Sequence, residues 1–170
     1  MLVPKPEKVL DNIKSWIRED ARYNVEEVYN PNTHFTLSLV SKEENSGKLP
    51  ISVAYPKDLD FANTILIEWA WRPSDIDIKA YQSIKDSNIK HDLIESIKGK
   101  CHEKGLSISL NPDEENILEI RVSKPIRLEG LAKSEFLEAV SKLVSMWAFF
   151  NLQFRFYNMS RVDFDPSQHV

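Results

Sequence analysis

From Thr64 to Arg72 the chain reads Thr-Ile-Leu-Ile-Glu-Trp-Ala-Trp-Arg, so that Ile65, Ile67, Trp69 and Trp71 alternate with Leu66, Glu68, Ala70 and Arg72. Successive side chains of an extended strand point to opposite faces, and this run therefore sets four large apolar groups on one side of a sheet. Two earlier runs share the period. Phe35, Leu37 and Leu39 alternate with Thr36, Ser38 and, less cleanly, Val40; Ile51, Val53 and Tyr55 alternate with Ser52 and Ala54 before Pro56. A polar turn from Ser41 to Lys48, containing Gly47, joins these two. A weaker strand around Val25 to Tyr29 leads into the first through the turn Asn30-Pro31-Asn32. Later, Leu106, Ile108 and Leu110 alternate with serines, Asn111-Pro112-Asp113 supplies turn chemistry, and Leu118, Ile120 and Val122 resume the alternation. That pattern predicts a hairpin.

A sheet with one apolar face needs a cover, and the remaining segments have helical periodicity. Pro6 suits the first helical position, and Val9, Leu10, Ile13, Trp16 and Ile17 fall on one side of a helix over Lys5 to Glu19. Ser74 followed by Asp77 forms a capping box with the shorter acid, which starts a helix at about Asp75 with Ile78 and Tyr81 inward. The polar step Lys85-Asp86-Ser87-Asn88 breaks it before a second stripe of Ile89, Leu93, Ile94, Ile97 and Cys101, ended by Gly105. A last helix begins near Lys133 with Phe136, Leu137, Val140, Leu143, Val144 and Trp147 on one face. The expected fold is α+β: an antiparallel sheet of about five strands packed with helices, in the order α-βββ-α(α)-ββ-α. It is read as one domain over 1–157 followed by a polar, flexible tail over 158–170.

Composition restricts function. At 170 residues and 42% hydrophobic, the chain is long enough to bury a self-sufficient core. A formal net charge of −4, with 22 basic against 26 acidic residues and no basic block, argues against nucleic-acid binding. The longest apolar stretch, Met146 to Phe150 with Leu152 beyond Asn151, falls far short of the roughly 20 residues that span a bilayer. A single cysteine, Cys101, and an N-terminus unlike a signal peptide point to a cytoplasmic protein.

Chemistry-bearing patterns are sparse. His34, His91, His102 and His169 lie in unrelated segments without metal-ligand spacing, and four scattered glycines build no phosphate loop. Cys101 and His102 are neighbours whose helical side chains diverge, which suits Cys101 to a core role. No catalytic, cofactor-binding or metal-ligating residue is identified, and no cofactor is expected. Trp69 and Trp71, spaced two apart on one strand face, either cover a helix or line a pocket in which Arg72 holds an anionic group.

The densest signal is C-terminal. Trp147, Phe149, Phe150, Phe154, Phe156 and Tyr157 crowd one short stretch, and a helix through it spreads the rings over more than one face. One sheet cannot cover all of them, so these six residues are expected to form a partner-binding surface, for a second copy of the chain or for a protein client. Two alternatives stay open: Leu152 to Tyr157 alternates as a strand would, and a central helix would bury its rings on both sides.

Several segments carry a resemblance. They are the Val9 to Ile17 helix, the Asn30-Pro31-Asn32 turn before Phe35, and Pro73-Ser74 with Ala80-Tyr81-Gln82-Ser83-Ile84. Most specific is Ser123-Lys124-Pro125-Ile126 running into Glu129-Gly130-Leu131-Ala132-Lys133-Ser134-Glu135-Phe136. Over about Glu7 to Phe156 the chain resembles an uncharacterised archaeal family of type III secretion chaperone-like fold. The resemblance implies that fold and a protein-binding or adaptor role without catalysis; it implies no catalytic residues. The rival expectation is a small-ligand binder or enzyme with a pocket near Trp69, Trp71 and Arg72.

Overall fold

In the computed structural model the described residues are 5–20, 22–42, 48–58 and 63–159, the side chains of 48, 49 and 155–159 excepted. The elements follow in the order α1 (Pro6–Glu19), β1 (Tyr23–Glu27), β2 (Thr33–Ser41), β3 (Lys48–Pro56), β4 (Thr64–Trp71), α2 (Asp75–Ser83), α3 (Ser87–Glu103), β5 (Ser107–Asn111), β6 (Glu119–Arg127) and α4 (Lys133–Met159). The molecule is α+β, and its sheet is antiparallel throughout, in the order β1-β2-β3-β4-β6-β5. The expected strands all form. The weak one, shifted to Tyr23–Glu27, adds a sixth at the edge. The polar turn over 43–47 and the tail beyond 159 lie outside the described residues.

Local chemistry accounts for the element ends. Pro6 opens α1 at its first position. Ser74 accepts from the Asp77 amide while the Asp77 carboxylate accepts from the Ser74 amide at 3.0 Å, so both arms of the capping box close over the start of α2. Past α3, Gly105 takes φ +65°, the left-handed conformation a side chain resists, and turns the chain into β5.

Every strand of the sheet's interior places its bulky side chains on the same face. Leu37 and Leu39 of β2, Ile51 and Val53 of β3, Ile65, Ile67 and Trp69 of β4, and Ile120, Val122 and Ile126 of β6 are buried. The register makes this one surface: Leu37 lies opposite Val53, Val53 opposite Ile67, and Trp69 between Ile51 and Val122. The helices cover it as one layer, α1 over β1 and β2, α4 over β4 and β6, and α3 over β5. α4 is central, touching each of the other three helices as well as the sheet. Val9, Ile13 and Ile17 from α1 and Phe136, Val140 and Leu143 from α4 fill the interlayer space.

Cys101 is fully buried on the inner stripe of α3, and that burial pushes its thiol up to about 11. The thiolate is therefore scarce at neutral pH and inaccessible as well. We expect a disulfide-exchange reagent to leave the native protein unmodified at pH 8 and to label one thiol per chain after unfolding; rapid labelling of the native protein would contradict the burial of α3.

Candidate interaction surface

The aromatic residues singled out from strand and helix meet in one cluster. α4 crosses β4 so that Trp69 lies 5.1 Å from Trp147 and 5.3 Å from Phe150, ring centre to ring centre, while Trp71 lies 5.0 Å from Phe150 and 4.6 Å from Phe154. Phe150 and Phe154 are 4.6 Å apart, one helical turn along α4, and Phe154 reaches Tyr81 of α2 at 6.4 Å. Tilted and edge-on pairs of this kind add about 0.5–1.5 kcal/mol each beyond the burial of their area. The helix runs unbroken to Met159, so Leu152 to Tyr157 does not form a strand.

This arrangement divides the C-terminal aromatics. Phe150 and Phe154 are buried in the chain's own core, 1% and 7% exposed. Trp147 and Phe149 are half-buried at its margin. The side chains of Phe156 and Tyr157 lie outside the described ones. Leu152, three residues beyond Phe149 on the side of α4 turned from the sheet, is 67% exposed and extends the apolar margin. Sequence reading passed over Leu152 because it is not aromatic; its spacing from Phe149 was the available signal.

Around Trp69, Trp71 and Arg72 little room is left. Trp69 is fully buried, and its indole N–H has no hydrogen-bond partner among the described residues, an omission that costs about 1–3 kcal/mol. The hollow lined by Trp71, Ile78, Tyr81 and Phe154 holds about 10 Å³, less than one water, and the adjoining one beside Leu118 about 150 Å³. Ligand sites commonly need roughly 300–1,000 Å³. Arg72 donates its Nε–H to Glu119 at 2.8 Å and is otherwise exposed to solvent, outside these hollows. A larger cleft, about 550 Å³, opens at the far end of the sheet between Tyr29, Asn30, His34 and Lys57. In its wall Thr33 donates to the Asn30 carbonyl at 3.1 Å, and the Thr33 and Thr36 hydroxyls lie 3.0 Å apart. No group of metal-binding side chains occurs among the described residues.

The opposite face of the sheet carries no described helix. Its middle row runs Glu26, Ser38, Ser52, Glu68, Ser123, Ser107 from edge to edge. Burial pushes the Glu68 carboxyl up against the opposing pull of Arg121, whose guanidinium donates to both Glu68 oxygens at 3.3 and 3.4 Å. Arg121 also donates to Glu119, which continues the chain of charges to Arg72.

Helices layered on one side of an antiparallel sheet, joined to it by an aromatic seam, define an α+β class. The chain belongs to the family described as "Uncharacterized conserved protein (DUF2299)", which matches residues 9–154. It is similar to the crystal structure of an uncharacterized protein from Methanothermobacter thermautotrophicus, with a TM-score of 0.66 at 19% identity over 89% of this chain and 96% of that one. That likeness is one of fold. No curated protein matches. No helix among the described residues is long and apolar enough to cross a membrane.

Phe150→Ala should cost about 3–5 kcal/mol in chemical denaturation, because it empties the seam between α4 and β4, whereas Leu152→Ala should cost under about 1 kcal/mol. Equal losses would contradict the division of the helix into buried and free sides. For Glu68, a folded-state pKa above the unfolded one means that its contribution is fully present below the usual carboxylate range and is lost as pH rises through the folded value. Glu68→Gln should therefore gain in melting temperature relative to the native chain as pH rises above the usual carboxylate range. A pH-independent difference would show that Arg121 fully offsets the burial.

Proposed function

We propose that this protein is a chaperone-like, cytoplasmic protein-binding or adaptor module that acts without catalysis and works as a homodimer, with α4 from Trp147 to Tyr157 as its contact for a protein client. The observation that carries this reading is the two-sided character of α4. Phe150 and Phe154 fix one side to the sheet and exposed Leu152 presents apolar surface on the other, with Phe149 and Trp147, each partly buried against the core, at the rim. An anchored helix loses little freedom on binding, which favours association. The same residues that hold the helix thus support its use as a rigid contact, and Phe156 and Tyr157 continue the stretch. The layered antiparallel architecture agrees with the chaperone-like resemblance, and the lone buried Cys101 agrees with a reducing compartment.

The double variant Phe149→Ser/Leu152→Ser tests it, because neither side chain belongs to the buried core. Tagged native and variant proteins are recovered from an extract of the native cells and their companions identified by mass spectrometry. The expected result is a polypeptide retained by the native chain and lost from the variant, with melting temperatures within a few degrees. Identical companions, or none in either case, would remove the support for α4 as the contact.

A further inference from the structure

The sheet ends in two different edges. β1 carries Glu26 and Glu27 in five residues, and a second β1 laid antiparallel on it would bring four carboxylates into one short ribbon. Charges on an edge strand are a common guard against pairing. β5 has no such guard: from Leu106 to Pro112 the sequence is Leu-Ser-Ile-Ser-Leu-Asn-Pro, without a charge. Its exposure alternates, with Ser107, Ser109 and Asn111 exposed and Ile108 and Leu110 half-buried.

The hairpin geometry fixes which backbone groups face outward. The Asn111 carbonyl accepts from the Leu118 amide at 2.8 Å across the turn, so residues 107, 109 and 111 direct their amides and carbonyls at β6. Ile108 and Leu110, being of opposite parity, present theirs to the open edge, and no described residue bonds them.

We propose that β5 is a dimer edge, pairing antiparallel with β5 of a second copy about a two-fold axis through Ser109; this rests on the homodimer reading above and locates its interface. In that register Ile108 lies opposite the second copy's Leu110, and each such pair exchanges two N–H···O bonds, four in all. The apolar pairs fall on the helix-covered face and extend the core. Ser109 meets Ser109 on the open face as a non-hydrogen-bonded pair, and Ser107 meets Asn111. The flanks are complementary as well. β5 follows Lys104 at the end of α3 and precedes Asp113, Glu114 and Glu115, so antiparallel pairing brings Lys104 of one copy towards the acidic turn of the other, where Glu114 and Glu115 also pair with Lys98 and Lys90 of their own chain. Two six-stranded sheets become one continuous sheet, and the acidic β1 edges end it on both sides.

Light scattering at micromolar concentration should give twice the 19.7 kDa chain mass. Ser109→Lys opposes two cations at the axis and should weaken the dimer roughly tenfold or more while leaving the far-ultraviolet dichroism unchanged. Ser109→Cys should form an inter-chain disulfide on mild oxidation, since Cβ atoms in a non-hydrogen-bonded pair are close enough and Cys101 is buried. Ser107→Cys, opposite Asn111, should not. Should Ser109→Lys fail to fold, the two cysteine variants still decide. A native dimer that Ser109→Lys leaves intact and Ser109→Cys fails to cross-link would overturn the β5 edge alone. A native chain of monomeric mass would overturn the homodimer reading with it.

Discussion

The packing of α4 onto β4 is the interaction on which the other contacts depend. Trp69 sits two residues from the end of a central strand, fully buried, and its neighbours in the sheet are Ile51 and Val122. Nothing on the sheet itself can cover so large a ring. Trp147 and Phe150 do so from above, and once they are seated α4 lies where Phe136 can meet Trp16 of α1 at 5.8 Å and Phe154 can meet Tyr81 of α2. Among the described residues the Trp69 N–H has no hydrogen-bond partner, so what holds the ring is the apolar area that the seam removes from water.

Much of this was legible in the sequence, because the signals were local. Period-two alternation found the interior strands, and Ser74 with Asp77 marked the start of α2 within three residues of chain. The sheet's first strand was faint since Tyr23-Asn24-Val25-Glu26-Glu27 is short, pairs on one side only and sets just Tyr23 and Val25 against the core, too few to make an alternating run. What local pattern cannot supply is which distant segments meet. β6 inserts between β4 and β5, and the strand tryptophans and the helical phenylalanines read as two separate features until the tertiary pairing shows them touching. The candidate contact was accordingly read as one stretch of helix, without its division into a buried and an exposed side. Phe150 and Phe154 recur at the spacing of a buried stripe, and whether that stripe faces core or partner depends on Trp71, which lies in β4.

The two faces of the sheet have different chemistry for the same geometric reason. On one, helices exclude water and the side chains are large and aliphatic. On the other, serines and threonines flank a small charge network in which Glu68 and Glu119 share Arg121. The row Ser38, Ser52, Glu68, Ser123 sets one carboxylate among hydroxyls, so this face is polar without being strongly charged.

The central position of α4 also has a consequence for biosynthesis. A ribosome releases the chain from its N-terminal end, and the six strands are complete once Arg127 has emerged. At that moment Ile67, Trp69 and Val122 form an apolar surface over which their principal cover has yet to be made. The nascent chain must hold this sheet, or delay forming it, while a further turn and a 27-residue helix are synthesised. Closure is therefore late and non-local, and the interval before it is when the protein itself has most need of a binding partner.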